Sequence, residues 1–356
     1  MKKTVLLEKH ISLGAKIVDF AGFRMPLSYS SVTDEHNYVR ENVGVFDVSH
    51  MGEFEISGKN STKFIQFICS NDIMKLKPGK AQYNCLVKDN GGIIDDLIVY
   101  KIDKEKYLLV VNASNIEKDL NWIKSLNKNY SCSINNISDR ISLLAVQGPN
   151  ANLLCQRFTK EDLKSLSKYS FILGTFAGID NVIISKTGYT GSGGFELYIS
   201  NENVEQIWDE LFNVKDFEVK PIGLAARDTL RLEMGYCLYG NDINELVTPI
   251  EANLGWITKL DTNFIGSESI KKQIENGVKK KLVGFIINDK GIPRKGYEIF
   301  DKSENHIGVV TSGTFSPVLK KGIGLAYIEN NISLKEIYLK IRNNFVELEV
   351  VKTPFI

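Results

Sequence analysis

The amino-acid sequence predicts an α+β chain whose carboxyl end is an all-β module. Strand-length apolar runs alternate with amphipathic helical stripes through the front and middle of the chain, and short strands broken by Gly and Pro take over from about residue 280. No repeat of fixed period, Pro/Gly/Ser linker or low-complexity tract divides it. At 356 residues with 43% hydrophobic content the chain exceeds one ordinary domain, so two or three domains with sizeable cores are expected.

Taken in order, MGEFEISG at 51–58 places Phe54 and Ile56 on one face at period two, and LIVYKI and YLLVVNA near 97–113 are apolar runs of strand length. The segment starting at Ser61, a candidate N-cap, carries Phe64, Ile65, Phe67 and Ile68, and the one after Asn115 carries Ile116, Leu120 and Ile123 at helical spacing. Together these suggest a small α+β unit over roughly 50–138. A helix over 201–213 puts Val204, Ile207, Trp208, Leu211 and Phe212 on one stripe, which makes Trp208 a core residue. LVGFII, HIGVVTSG, GIGLAYI and FVELEVV then read as a compact β-barrel or sandwich.

Charge and cysteine usage narrow the function classes. Lys and Arg number 44 against 43 for Asp and Glu, so no global field draws the chain to nucleic acid or a membrane surface. Five scattered cysteines without a C-x-x-C pair suit a reducing compartment. The amino terminus lacks a signal-peptide pattern and no stretch approaches a membrane span, so a cytoplasmic protein is expected. His10, His36, His50 and His306 have no metal-ligand spacing, and no Ser or Cys sits in a nucleophile elbow, so neither metal nor covalent Ser/Cys catalysis is expected.

Three motifs could carry chemistry. KTGYTGSGGFELYI at 186–199 is glycine-rich, but a phosphate cradle needs a helix next, and Phe195 to Ile199 alternate as a strand does. Pattern alone favours a solvated strand face for Glu196; the sharper alternative is a carboxylate that accepts two parallel hydrogen bonds from a flat ligand such as an aminopyrimidine. Asp95 and Asp96 follow Gly91 and Gly92 and must point to opposite faces if they lie on a strand. A shared-proton pair is thereby disfavoured, and either both serve a turn or one faces a partly dry cleft. In GLAARDTLRLEMGYCLYGND, 223–242, Arg227 and Arg231 share a helix face, ordinarily solvent-exposed, with pairing to a ligand or catalytic carboxylate as the alternative.

These strings occur together in a telling order: GAKIVDFAGFRMPLSY near 14–29, NVGVFDVSHMGEFEISG at 42–58, AQYNCLVKDNGGIIDDLIVY at 81–100, VNASN at 111–115, VQGPNA at 146–151, TGYTGSGGFELY at 187–198, ARDTLRLEMGYCLYGND at 226–242 and TSGTFSPVLKKGIGLAYI at 311–328. In them the chain resembles the glycine cleavage T-protein family along nearly its whole length. The resemblance implies a three-domain cloverleaf around a central hole: a folate-binding domain from 1–50 plus 139–275, an inserted α+β domain over 51–138, and a carboxyl-terminal β-barrel over 276–356. It implies an aminomethyltransferase that takes an aminomethyl group from the lipoyl arm of the H-protein, releases ammonia and gives the one-carbon unit to tetrahydrofolate. It implies the other glycine cleavage components as partners; nothing in the sequence demands more than a monomer, and charge and hydropathy give no reason to expect a nucleic acid or membrane partner.

By matching position, the resemblance assigns Asp96 as the catalytic acid, supporting a cationic iminium-like species and positioning the folate amine. Glu196 matches the residue that grips the pterin edge; Tyr83, Asn112, Tyr189, Arg227 and Tyr236 match positions lining the folate pocket, with Met51 beside them. Two departures stand out. Ser192 follows TGYTG where the family commonly has an acid, and the chain stops at Pro354, Phe355, Ile356 without the basic or aromatic residue usual beyond that Pro-Phe. Among relatives, the iron–sulfur-assisting folate binder typically bears K-G-C-x-x-G-Q-E, which this chain lacks, and glycine-derivative demethylases are generally joined to a flavin domain, for which no dinucleotide fingerprint exists here. A catalytically silent folate-binding protein is the remaining alternative, against which Asp96 counts.

Overall fold

The computed structural model describes residues 1–342 and 344–356. The chain forms two compact units, one of Met1–Thr62, Lys75–Gln82 and Ile98–Asp228, the other of Lys63–Met74, Tyr83–Leu97 and Thr229–Ile356.

The first unit is built on a six-stranded sheet in the order Phe171–Phe176, Ile179–Ser185, Gly194–Ser200, Ile141–Gln147, Gly44–Asp47 and Lys220–Pro221. Its pairs are antiparallel except the last, which is parallel. Alternation decides which face is buried: Phe195, Leu197 and Ile199 join Leu144, Val146 and Ile184 in one core. The helix Val204–Phe212 closes that core with Val204, Ile207, Trp208 and Leu211, and Trp208 is 3% exposed, as its stripe predicts. Glu196 and Tyr198 consequently project from the opposite face.

A second sheet of this unit pairs Ile98–Asp103, Lys106–Val111, Gly52–Ser57 and Ser133–Asn136 antiparallel in that order. Phe54 and Ile56 are fully buried, as their period-two spacing predicts. The expected helix after Asn115 runs Ile116–Leu126 with Ile123 in the core. The cap expected at Ser61 is not formed: the helix Ser61–Ile68 already includes that residue, and its buried hydroxyl has no hydrogen-bond partner among the described residues.

In the second unit the segment after 280 closes into a six-stranded barrel in the order Lys280–Ile287, Lys321–Glu329, His306–Ser316, Glu298–Phe300, Ile337–Ile341 and Asn344–Val351, the last pairing with the first. Closure removes exposed sheet edges. Its interior is aliphatic except for Phe285, which lies opposite Gly324 in the register, and a Cβ at Gly324 would stand 2.5 Å from the Phe285 ring. The barrel core therefore requires glycine there. Ahead of the barrel, Lys80–Val87 turns into Ile93–Asp103 through Lys88–Gly92, where Gly91 N–H donates to Lys88 C=O at 2.9 Å.

Candidate functional site

The glycine-rich segment runs into the strand Gly194–Ser200 and not into a helix, so its amides are not gathered at a helix start. Gly194 sits at φ +122° with the position of a Cβ 2.1 Å from Val146 C=O, so only glycine can begin this strand. The loop ahead of it is tied down by side chains. The Gln147 amide donates to Phe195 C=O at 3.2 Å and accepts from the Thr190 hydroxyl at 2.8 Å. Arg40 donates to Thr190 C=O at 2.5 Å and to Ser192 Oγ at 2.7 Å, so Ser192 meets this guanidinium with a neutral oxygen.

Glu196 is half-buried, which corrects the solvated-face reading that pattern alone favours. The physical reason is a second layer of side chains over this face of the sheet. Thr187 Oγ1 donates to Glu196 Oε2 at 2.5 Å. Burial raises the carboxyl above the ordinary range, while the Thr187 hydrogen bond and the Arg227 charge pull it back. The Arg227 guanidinium lies 4.6 Å over the Tyr189 ring, so Glu196, Arg227 and Tyr189 share one locality.

Behind Thr187 lies a cluster of hydroxyls that sequence reasoning missed. Tyr100 Oη is 3.1 Å from Thr187 Oγ1, Ser185 Oγ is 2.9 Å from it, and Tyr198 Oη donates to Tyr100 Oη at 2.9 Å. Tyr100, Tyr198 and Ser185 are all buried, and burial holds both phenols far above their ordinary range. The available signals were Thr187 inside TGYTG and Tyr198 two residues beyond Glu196 on the same strand face. His50 was also missed as a neighbour of Arg227. It is 2% exposed, and burial and the Arg227 charge push its pKa down to about 4 against an opposing pull from Asp47.

Of the other first-unit candidates, Asn112 is half-buried just after the strand Lys106–Val111 and opens a 3-10 turn, where Asn115 N–H donates to its C=O at 2.9 Å. Met51 lines a cavity of about 250 Å³ with Val5, Phe23 and Ile116, and no other candidate residue lines that cavity.

In the second unit Asp95 and Asp96 both lie on the strand Ile93–Asp103, which corrects the reading that both serve a turn: Lys88–Gly92 make the turn. Asp95 is fully buried and Asp96 half-buried, as opposite-facing neighbours must be. Tyr83 Oη donates to Asp96 Oδ2 at 2.8 Å, and the Tyr83 ring lies 6.0 Å from that of Trp256, which is 60% exposed. Tyr236 is 38% exposed.

Arg231 is not solvent-exposed. It is 1% exposed and pairs with the fully buried Asp242 at 2.9 Å, and Thr311 and Ser312 also donate to that carboxylate, at 2.5 and 2.8 Å. The five cysteines are free and buried, and burial raises every thiol, so none is poised as a nucleophile. Among the described residues no group of three or more His, Cys, Asp and Glu could hold a metal ion, and no helix is long and apolar enough to cross a membrane.

Comparison with known proteins bears on this arrangement. Residues 6–262 match the family described as GCVT N-terminal domain, and residues 280–356 match the glycine cleavage T-protein C-terminal barrel domain. The chain is 56% identical to an aminomethyltransferase of Flavobacterium psychrophilum, over 100% of this chain and 99% of that protein. It is 51% identical, over the same shares, to one of Bacteroides thetaiotaomicron. The crystal structure of the glycine cleavage system aminomethyltransferase T from Bartonella henselae superposes with a TM-score of 0.93 at 31% identity, over 100% of this chain and 98% of that one. The chain belongs to the glycine cleavage T-protein family. Its activity is that of an aminomethyltransferase of the glycine cleavage system.

Proposed function

We propose that the one-carbon acceptor is tetrahydrofolate and that the donor is an aminomethyl group on the dihydrolipoyl arm of an H-protein, with ammonia and 5,10-methylenetetrahydrofolate as products. The observation that carries this reading is the Glu196 carboxylate. One oxygen is engaged by Thr187 and the other, Oε1, has no hydrogen-bond partner among the described residues. An ionised carboxylate only accepts, and the aminopyrimidine edge of a pterin offers adjacent N–H donors in the matching fork. The stacked Arg227 and Tyr189 beside it supply a flat surface suited to a ring.

Tetrahydrofolate supplies the two amines between which the one-carbon unit is held. Asp96, oriented by Tyr83, supports the positive charge that develops when ammonia leaves and orients the attacking amine. Asn112, Tyr236 and Met51 are carried as folate-contact candidates by the family resemblance alone. The five free thiols agree with work in the cytoplasm.

The test uses purified protein with aminomethylated H-protein: ammonia release and methylenetetrahydrofolate formation are expected only when tetrahydrofolate is present. Asp96→Asn is expected to bind tetrahydrofolate normally and to lose about two orders of magnitude or more in turnover, as removal of one charge-stabilising group does. Wild-type turnover in that variant would remove Asp96 from the chemistry. An inactive wild type would direct the next assay to demethylation.

A further inference from the structure

The hydroxyls behind Glu196 have a proton order that can be deduced. Thr187 has one hydroxyl proton, and a carboxylate oxygen at 2.5 Å takes it. In its 3.1 Å contact with Tyr100, Thr187 can then only accept, and Tyr100 in turn accepts from Tyr198 at 2.9 Å. Ser185 adds its single proton from the side, lying 2.9 Å from Thr187 and 3.2 Å from Tyr100. Every O–H in the series therefore points toward Glu196. Aligned hydrogen bonds in a dry environment polarise one another, so each donor strengthens the next.

We propose that Tyr198, Tyr100 and Thr187 form a one-way chain of hydroxyl donors that holds Glu196 as an oriented acceptor, making Thr187 a positioning residue for tetrahydrofolate through Glu196. The inference rests on the reading of Glu196 as the acceptor for the pterin edge. Thr187 secures Oε2 and fixes the carboxylate plane, so Oε1 and the second lone pair of Oε2 are presented to the ligand as a fork. Arg227 is the cation that faces Glu196. The other ionisable groups around the chain are the two phenols themselves and Glu53, whose charge bears on Tyr198.

The experiment is calorimetric titration of the full-length protein with tetrahydrofolate from pH 5.5 to 8.5, for wild type, Thr187→Val, Thr187→Ser, Tyr100→Phe, Tyr198→Phe and Glu196→Gln, with steady-state kinetics alongside. Thr187→Val is expected to weaken binding about tenfold at neutral pH, the size of a lost hydrogen bond to a charged group. The acid limb of its affinity profile should move to higher pH and KM should rise with kcat retained, while Thr187→Ser restores wild-type behaviour. Because the effect passes along a chain, the losses should fall in the order Thr187→Val, Tyr100→Phe, Tyr198→Phe. The graded series keeps the test decisive even if one variant fails to fold. An unaltered affinity and pH profile in Thr187→Val, or a reversed order, with Glu196→Gln still impaired, overturns the chain and leaves the folate reading intact. Normal binding by Glu196→Gln overturns the reading on which the chain rests.

Discussion

Asp242→Ala should be among the most destabilising single substitutions in the second unit, and its cost can be worked from the geometry. The carboxylate is fully buried and accepts from Arg231 Nη1 at 2.9 Å, Leu238 N–H at 2.9 Å, Ser312 Oγ at 2.8 Å and Thr311 Oγ1 at 2.5 Å. Removing it takes away the carboxylate that pairs with the Arg231 guanidinium, 1% exposed, at 2.9 Å. Breaking a buried pair from one side costs about 3–5 kcal/mol, because the surviving charge stays desolvated. At roughly 3 °C per kcal/mol for a unit of this size, the transition should fall by about 12 °C in scanning calorimetry. Arg231→Met should cost a similar amount, but the double variant Arg231→Met, Asp242→Leu should cost far less than the sum, since no lone charge remains. Single losses below about 1 kcal/mol, or simple additivity, would refute the claim that this pair acts as one buried unit.

Three further outcomes are expected. With His50 held near a pKa of about 4 against an unfolded value of roughly 6.5, the unfolded chain binds the extra proton between those values. This contribution is full above pH ~6.5 and is lost as pH falls toward about 4, some ~3 kcal/mol in all, and a His50→Gln comparison by urea unfolding across that window should show the slope disappear. Glu53 has the opposite sign: its buried, unpartnered carboxyl is raised well above its ordinary value, so its contribution is present at low pH and lost as pH rises toward the folded pKa. Glu53→Met should therefore gain on wild type as pH increases, and a constant difference between the two unfolding curves would count against it. Tyr83→Phe removes the donor that orients Asp96, so turnover should drop about tenfold with tetrahydrofolate affinity little changed in parallel kinetic and binding assays; an equal loss in both would instead mark Tyr83 as a binding residue.

Elements whose burial is one-sided and local were readable from spacing alone. The helix Val204–Phe212 and the barrel strands carry their own apolar periodicity, and any partner that covers a stripe of Val204, Ile207, Trp208 and Leu211 yields the same element. The Ser61 cap failed for a related reason. Capping is decided by whether a backbone N–H comes within hydrogen-bonding reach of the hydroxyl, and among the described residues none does.

The same distinction explains what could be read of the candidate site. Arg227 and Arg231 are four residues apart, so spacing correctly places them on one helix face, yet one stacks over Tyr189 and the other is buried against Asp242. Periodicity gives a side chain's direction; it says nothing about what waits in that direction. Glu196 is the sharper case. Phe195, Leu197 and Ile199 claim the core face, so Glu196 and Tyr198 fall by default to the side that alternation labels as water. What stands there is Tyr100, from a strand nearly a hundred residues away in sequence, joined through Thr187 to the carboxylate. A buried hydroxyl chain of this kind leaves almost no mark on composition, since each of its members is individually at home on a solvated strand face. The glycine-rich loop raised Glu196 only as the less favoured alternative, and the matching family strings, TGYTGSGGFELY above all, singled it out without the physical reason. That reason is the three-donor alignment, and it makes the pH profile of ligand affinity, more than the affinity itself, the quantity in which the site's construction should be visible.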